Sequence, residues 1–410
     1  MSTSEMVAGI AGDQSLSVRE RVDRIALELS PSADRGLGAV VECLLETDDE
    51  RIAGFAAQYL ALLPAAAPEK TRVAQRLRSS GLPAVRSAAR LVPWLADDVL
   101  RDFVDDYLRN PEKGSPLNSV AFNIAAYAPE LLRPFADSIE NRSIHRGLLS
   151  GAPEELVDAF QEKWRRAGGA EDTGLLESLA LIRTGHAAAA IASMQDEIAD
   201  PDEWERLLCL SGRLPDSDRS AGFLPALMGS VTGGGESPHA MGGSLGKAMP
   251  ICLSCSAATE RVLTLSAGDL PFELSADPSF FWYTCDCGIL DSVTVRLTSD
   301  GIEVYHGEQG PSDPERRIVP GDLSLILEPH RNQVGISMRA TAGQSRYQVG
   351  GLPQWIRIEA HPHCPECGKS MPFLASVDSG PTPYGHMGFT GTLYGFWCDD
   401  CQVSVTEFQV

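Results

Sequence analysis

The sequence predicts an α+β protein in two parts, an all-helical N-terminal half and a mostly antiparallel β C-terminal half organised by two four-cysteine sites. Three observations carry this. Apolar residues recur at spacings of three and four through the first half. Short β-branched or alternating runs bounded by Gly, Pro, Asp and Asn fill the second. Eight of the ten cysteines fall in four close pairs, all of them in that second half. The expected boundaries are 1–228 for the helical domain, 229–247 for a glycine-rich linker or loop, and 248–410 for a duplicated metal-binding β domain.

The helical half opens with Ser17 and Glu20 at capping-box spacing ahead of Val22, Ile25, Ala26 and Leu29. A continuous apolar stripe follows at Ile52, Phe55, Ala56, Tyr59, Leu60 and Leu63, and others at Val85, Ala88, Ala89, Val92 and Leu95 and at Val99, Phe103, Val104, Tyr107 and Leu108. Val120 to Ile139, Glu154 to Trp164, Gly174 to Ile182 and Trp204 to Leu210 continue the pattern. Asp49 to Leu63 and Pro83 to Leu95 resemble the helices of HEAT-type repeats. The second carries Pro83, Val85, Arg86, Ala88 and Ala89 in the order of such repeats, with one residue fewer between Arg86 and Ala88, and Ile52 and Val85 lie 33 residues apart. This resemblance implies a HEAT-like α-solenoid whose long curved surface suits a partner. The alternative is an irregular helical domain.

Between Gly229 and Lys247 glycine and serine dominate, which predicts a linker or mobile loop. Gly242, Ser244 and Gly246 have the Gly-x-Ser-x-Gly order of a hydrolase nucleophile elbow. Such an elbow needs a buried strand before the serine and a helix after it, and glycine and proline stand where that strand would lie, so Ser244 is not expected to be catalytic. From Ala248 onward, strands are expected at Arg261 to Leu265, Ser292 to Leu297, Gly301 to Tyr305, Leu323 to Leu327 and Gly335 to Arg339.

The pairs are Cys252 with Cys255, Cys285 with Cys287, Cys364 with Cys367, and Cys398 with Cys401. Thiolates one or two residues apart grip one face of a tetrahedral Zn²⁺ with sulfurs about 2.3 Å from the metal, and a second pair completes the shell. The arrangement occurs twice: 29 residues separate Cys255 from Cys285 and 30 separate Cys367 from Cys398. In both copies an aromatic run (Phe281-Trp282-Tyr283, then Phe396-Trp397) feeds the far pair and a Ser-Val-Thr strand follows. We therefore expect two structural zinc ions in duplicated zinc-ribbon-like units, one held by Cys252, Cys255, Cys285 and Cys287 and the other by Cys364, Cys367, Cys398 and Cys401. Pairing across the copies and a redox dithiol are the competing readings. Four protein thiolates leave no position for a reactive water, so no catalytic role is expected of either metal. His361 and His363, beside Cys364, are candidate substitutes for a thiolate, more often bystanders. Cys43 and Cys209 lie in helical stripes, where a buried thiol is expected.

At 410 residues and 43% hydrophobic content the chain can bury large cores. Its net charge of −22 is spread evenly, with 24 basic against 36 acidic residues through Gly235 and 10 against 20 beyond. Nucleic-acid affinity depends on Lys and Arg neutralising phosphates, so this balance argues against it in both halves and suits a basic protein partner, the bland alternative being solubility alone. Met1 to Ile10 does not read as a signal peptide and no apolar run reaches spanning length, so a cytoplasmic location without membrane contact is expected, where close cysteine pairs are metal ligands or redox groups.

Gly350-Gly351-Leu352-Pro353-Gln354-Trp355-Ile356, Cys364-Pro365-Glu366-Cys367-Gly368 with Met371-Pro372-Phe373-Leu374, and Gly391-Thr392-Leu393-Tyr394-Gly395-Phe396-Trp397-Cys398 together resemble the bacterial YwqG-like domain. They are also similar to the eukaryotic programmed-cell-death-two family. Ser376 and Arg357 depart from the glutamines usual there. The resemblance implies protein binding: YwqG-like domains have been associated with toxin-immunity neighbourhoods, and the eukaryotic relatives look like chaperones for a ribosomal protein. The leading expectation is a non-enzymatic, zinc-stabilised protein-binding protein, a toxin-immunity or chaperone-like factor for a basic partner. One alternative is an enzyme acting on a peptide or small molecule at the domain junction, with His239 and Glu236 as acid and base groups. The other is a HEAT-like or zinc-ribbon nucleic-acid-acting protein.

Overall fold

The computed structural model describes all residues other than 1, 30–32, 81–82, 110–113, 169–172, 216–223, 246–247, 289–291, 299–300, 306, 311–315, 337–346 and 358–360, with the backbone alone for 33–35 and 173. The first half is helical. Its elements are α1 (Thr3–Gly12), α2 (Val18–Leu29), α3 (Ala33–Glu46), α4 (Glu50–Leu62), α5 (Ala67–Ser80), α6 (Asp97–Arg109), α7 (Leu117–Tyr127), α8 (Pro129–Leu132), α9 (Arg142–Gly147), α10 (Glu154–Arg166), α11 (Thr173–Ala180), α12 (Gly185–Ser193) and α13 (Pro201–Ser211).

Local sequence explains the starts. The Glu20 amide donates to Ser17 Oγ (3.2 Å) and the Ser17 amide to a Glu20 carboxylate oxygen (2.7 Å), closing the capping box. Helix α2 then buries Val22, Ile25, Ala26 and Leu29, the stripe its spacing defines. Asp49 caps α4 by accepting from the Arg51 and Ile52 amides. Pro83–Trp94 winds as a 3-10 helix. At three residues per turn, Val85, Ala88 and Leu91 form one buried row and Ala89 and Val92 another, and the small side chains let α4, α5 and α7 close around it.

Helices α1 to α9 share one apolar core, whereas α10 to α13 do not join it. Trp164, Leu179, Ile182 and Leu207 from that second group pack instead with Trp355, Met371, Phe396 and Val405 of the β half. A third core fills the opposite side of the sheet around Val262, Phe281, Leu325 and Trp397.

The β half contains β1 (Leu227–Gly233), β2 (Ala240–Met241), β3 (Met249–Ile251), β4 (Thr259–Thr264), β5 (Ser279–Tyr283), β6 (Ser292–Thr298), β7 (Gly301–Tyr305), β8 (Glu308–Gly310), β9 (Leu323–Pro329), β10 (Tyr347–Val349), β11 (Phe373–Asp378), β12 (Pro381–Thr382), β13 (Gly385–His386), β14 (Thr392–Cys398) and β15 (Val403–Gln409). Eleven of them form one antiparallel sheet in the order β5-β4-β2-β9-β1-β10-β11-β14-β15-β6-β7, and β3–β8 and β12–β13 pair separately. The sheet curls into a half-barrel. Its first strand comes back against β15, where the Phe281 amide donates to Thr406 Oγ1 (3.3 Å) and Ser404 Oγ to the Ser279 carbonyl (2.7 Å). Gly395 makes this approach possible, since a Cβ there would lie 2.6 Å from the Phe280 ring.

Two expectations need correction. Residues 229–233 are not a linker. They belong to β1, buried in the middle of the sheet and paired with β9 from Leu227↔Pro329 to Gly233↔Leu323. Glycine serves close packing here, because a Cβ on Gly229 would meet Leu325 at 2.7 Å and Tyr347 at 2.8 Å. The strand expected over Gly335 to Arg339 is also absent at its start: Gly335 has φ +85° and closes a turn on the Asn332 carbonyl, and Ile336 is buried in the helical core. Residues 337–339 lie outside those described.

The end of β9 docks on the helices. The Trp94 indole N–H donates to Glu328 (3.4 Å), Arg331 donates to the Leu95 carbonyl (2.6 Å), and His330 stacks on Tyr127 at 5.3 Å. Beneath Trp94, the fully buried Lys70 donates to the Leu63 carbonyl (2.8 Å) with Nζ 3.5 Å from the ring centroid, and burial brings its pKa down to about 7.

Candidate metal centres

Each four-cysteine group starts from a knuckle with the same backbone. In the first, the Cys252 amide donates to the Ala257 carbonyl (2.9 Å) and the Ser256 amide to the Cys252 carbonyl (2.8 Å). In the second, the Cys364 amide donates to the Lys369 carbonyl (2.9 Å) and the Gly368 amide to the Cys364 carbonyl (2.8 Å). The bridges that close them also correspond, Ile251↔Ala258 and His363↔Ser370. In all four cysteine pairs the residue after the second cysteine is left-handed: Ser256 at φ +58°, Gly288 at +61°, Gly368 at +71° and Gln402 at +54°. That turn folds the chain so that both sulfurs face one point.

The strand leaving each knuckle brings in the far pair. Strand β4 pairs with β5, placing Thr259 opposite Tyr283 two residues before Cys285, and Thr284 Oγ1 donates to the Ala258 carbonyl (2.8 Å). Strand β11 pairs with β14, placing Phe373 opposite Phe396 two residues before Cys398. Both pairings carry a register shift, between Arg261 and Leu263 and between Phe373 and Ala375. After the far pair the units diverge. The second turns directly from β14 into β15, while the first sends its chain on to β6, which pairs with β15 instead.

The result is two compact groups, Cys252, Cys255, Cys285 and Cys287, and Cys364, Cys367, Cys398 and Cys401, with the four sulfurs of each within 4.8 Å of one another. Pairing across the copies does not occur. Cys367 and Cys398 have sulfurs 3.8 Å apart, far beyond a disulfide at about 2.05 Å and close to the tetrahedron edge of about 3.8 Å that 2.3 Å metal–sulfur bonds give. All ten cysteines are free thiols. The geometry fits a metal ion in each group.

Four sulfurs this close cannot all ionise unless a cation sits among them. Burial is the largest influence on Cys252 and raises it, yet the Cys255 and Ser254 amides with the Cys285 and Cys255 thiols bring it down to about 7. Burial pushes Cys285 up to about 12. In the second group the Lys369 amide draws Cys367 down, while burial pushes Cys398 up and Cys401 up to about 11. Each group thus sets one lowered thiol, Cys252 or Cys367, beside raised ones, and metal binding to thiolates is coupled to release of their protons.

The other candidates stay outside both groups. His361 is buried, with Nδ1 donating to the Met371 carbonyl (2.7 Å) and its ring 5.2 Å from Phe396. Cys43 and Cys209 are each 2% exposed in α3 and α13, where burial raises both thiols, Cys209 to about 11. Ser244 is exposed, preceded by left-handed Gly242 and Gly243, and the next element after it is strand β3 rather than a helix. His239 is buried with Nδ1 accepting from the Ser266 amide (3.1 Å), and Glu236 accepts from the Thr232 hydroxyl within the β1–β2 turn, so each is held by a partner of its own. Sequence reasoning missed Glu260. This carboxylate is fully buried and accepts from the amides of Gly243 (3.1 Å), Ile318 (2.6 Å) and Val319 (3.1 Å), and its only sequence signal is a lone acid inside a β-run.

Compared with known proteins, no family model and no solved structure matches the chain. A stretch of 65 residues, 15% of the chain, is 38% identical to the uncharacterized protein YpfL of Salmonella typhimurium and spans 14% of that protein. Among the described residues no helix is long and apolar enough to cross a membrane.

Proposed function

We propose that this is a non-enzymatic, zinc-stabilised protein-binding protein in which two Zn(Cys)4 centres hold the β half and the helical half offers a HEAT-like surface to a basic partner. The observation that carries the reading is that each group supplies four sulfurs from the chain itself, which closes a tetrahedral shell and leaves no site for substrate or water. Thiolate-only donors favour zinc over harder ions. The acidic excess in both halves supports a basic partner, steered by charge. The YwqG-like reading of the β half is part of this proposal, and with it a toxin-immunity or chaperone-like role in the cytoplasm.

Metal analysis combined with X-ray absorption tests the first part. Two zinc ions per chain with sulfur-only first shells are expected, and a protein purified without metal, or with nitrogen or oxygen ligands, overturns it. For the second part, capture from the native host is expected to recover one basic protein at equal stoichiometry, with binding that weakens as salt rises. Capture of no partner under several salt conditions counts against it.

A further inference from the structure

We propose that the open groove beside the first four-cysteine centre docks a short segment of a partner protein that presents a large apolar side chain next to a carboxylate. This rests on the protein-binding reading and narrows it to one surface. The two knuckles share a backbone but differ in what their tips touch. At the tip of the second, Glu366 accepts from the Tyr305 hydroxyl and lies 3.7 Å from Arg296, and Cys364 and Cys398 belong to the core formed with α10 to α13. The tip of the second knuckle, though exposed, is thus tied by side-chain contacts to strands β6 and β7. At the tip of the first stands Leu253, 51% exposed, on the wall of a cavity of about 540 Å³.

That volume far exceeds what an ion needs and lies in the range of organic ligand sites. Trp282, Phe389 and Phe408 line it as a joined aromatic cluster, with ring centroids 5.5 Å apart for Trp282 and Phe408 and 6.2 Å for Phe389 and Phe408. Such surface favours a large apolar side chain. Two guanidinium groups also line it, in a chain of net charge −22. Arg316 is engaged by Asp286 (2.5 Å), which also lines the cavity, whereas Arg19, exposed near the start of α2, has Asp23 one turn further on as a charged neighbour but makes no ion pair within 4 Å among the described residues. A planar guanidinium of this kind receives a carboxylate in two parallel hydrogen bonds. An occupant that covers Leu253, the aromatic rings and Arg19 on the helical half meets several side chains from both halves of the chain, as a peptide segment can.

The test uses the full-length, metal-replete chain as bait for a displayed library of random dodecapeptides. Selected sequences are expected to place Phe, Trp or Leu beside Asp or Glu. A synthetic peptide made from them should lose about fivefold in affinity against Leu253→Ser and about tenfold or more against Arg19→Glu. Both variants alter exposed positions, and both should keep two metal ions and the wild-type melting temperature. Arg86→Glu, in a different cavity on the helices, should leave affinity unchanged. Failure to select any peptide, or selected peptides that bind both groove variants as tightly as wild type, overturns the assignment. If a native partner is captured equally well by the Leu253→Ser/Arg19→Glu double variant, the groove assignment fails while the protein-binding reading stands. If wild type captures no native partner but the peptides depend on both residues, the groove stands and the broader reading falls.

Discussion

The two four-cysteine units share their knuckle hydrogen bonds, closing bridges, left-handed turns and strand pairing, and differ in almost everything that surrounds them. The second packs Cys364 and Cys398 into the core formed with helices α10 to α13, Trp355, Phe396 and Met371, and leaves one cysteine, Cys367, exposed. The first has two exposed cysteines, Cys255 and Cys287, and opens on a groove. What a tetrahedral ion demands is fixed by a few backbone turns, so the surroundings of one copy can be rebuilt without disturbing its grip. If zinc occupies both, their contributions to folding should therefore be unequal.

Removing one ligand from each unit gives the largest expected contrast. A structural zinc is worth about 10 kcal/mol or more to a small domain, comparable to a whole domain's stability of about 5–15 kcal/mol. Cys398→Ser should release the second ion and unfold the core shared by α10 to α13 and the sheet, with loss of the cooperative thermal transition. Cys255→Ser should release the first ion, yet leave a cooperative transition at a lower temperature. Calorimetry with metal analysis on both variants decides it, and equal losses would break the distinction between a unit built into the core with α10 to α13 and one that is not.

The first unit has its own anchor, which the second lacks. Glu260 follows Cys255 by five residues, and the same offset from Cys367 falls on Pro372. Because Glu260 receives three backbone amides in a fully buried place, Glu260→Ala leaves three donors without a partner. At about 1–3 kcal/mol each, the expected loss is about 3 kcal/mol or more, read from urea unfolding. Glu260→Gln should recover only part of it, since its NH2 faces donors.

Much of this contrast was legible in the residues and some was not. The eight cysteines stood out because two thiols one or two residues apart can grip one face of an ion, and the near-equal spacing of 29 and 30 residues pointed to the two groupings. The α2 stripe and its capping box were equally readable, since both are local. Strand β1 was not, because Gly229 has a composition that means freedom in a loop and close contact in a sheet, and only Leu325 and Tyr347, distant in sequence, tell which. Nor could glycine mark all four left-handed turns, two of which use Ser256 and Gln402. The covering of the second unit by α10 to α13 depends on packing between segments more than 150 residues apart, such as Trp164 and Phe396, which no periodicity encodes.

Acid should reach the second unit through a buried histidine. His361 sits in the second unit's core with Nδ1 committed to the Met371 carbonyl, and burial pushes its pKa down to about 4. The folded value lies below the unfolded one of 6.5, so the unfolded chain binds the extra proton: this contribution is complete above about pH 6.5 and is lost as pH falls toward 4. The expected cost at pH 5 is about 2 kcal/mol relative to pH 7. His361→Leu should be less stable at pH 7 but flatter with pH in urea unfolding, and an unchanged slope would remove His361 from the account.

The smallest effects lie at the knuckle tips, where they bear most directly on whether the open unit is built for its own fold or for an occupant. Glu366 at the second tip accepts from Tyr305 and faces Arg296 across 3.7 Å, with both charged side chains more than a third exposed. Solvent screens that pair, so Glu366→Ala should cost no more than about 1 kcal/mol. Leu253 at the first tip is 51% exposed, and its replacement by serine should change stability by less than about 0.5 kcal/mol. A large apolar side chain whose removal costs the fold nothing is not there for the fold. Should Leu253→Ser instead destabilise the chain more than Glu366→Ala, the side chain is part of the first unit's packing, and the groove loses its strongest claim to be a surface kept for another molecule.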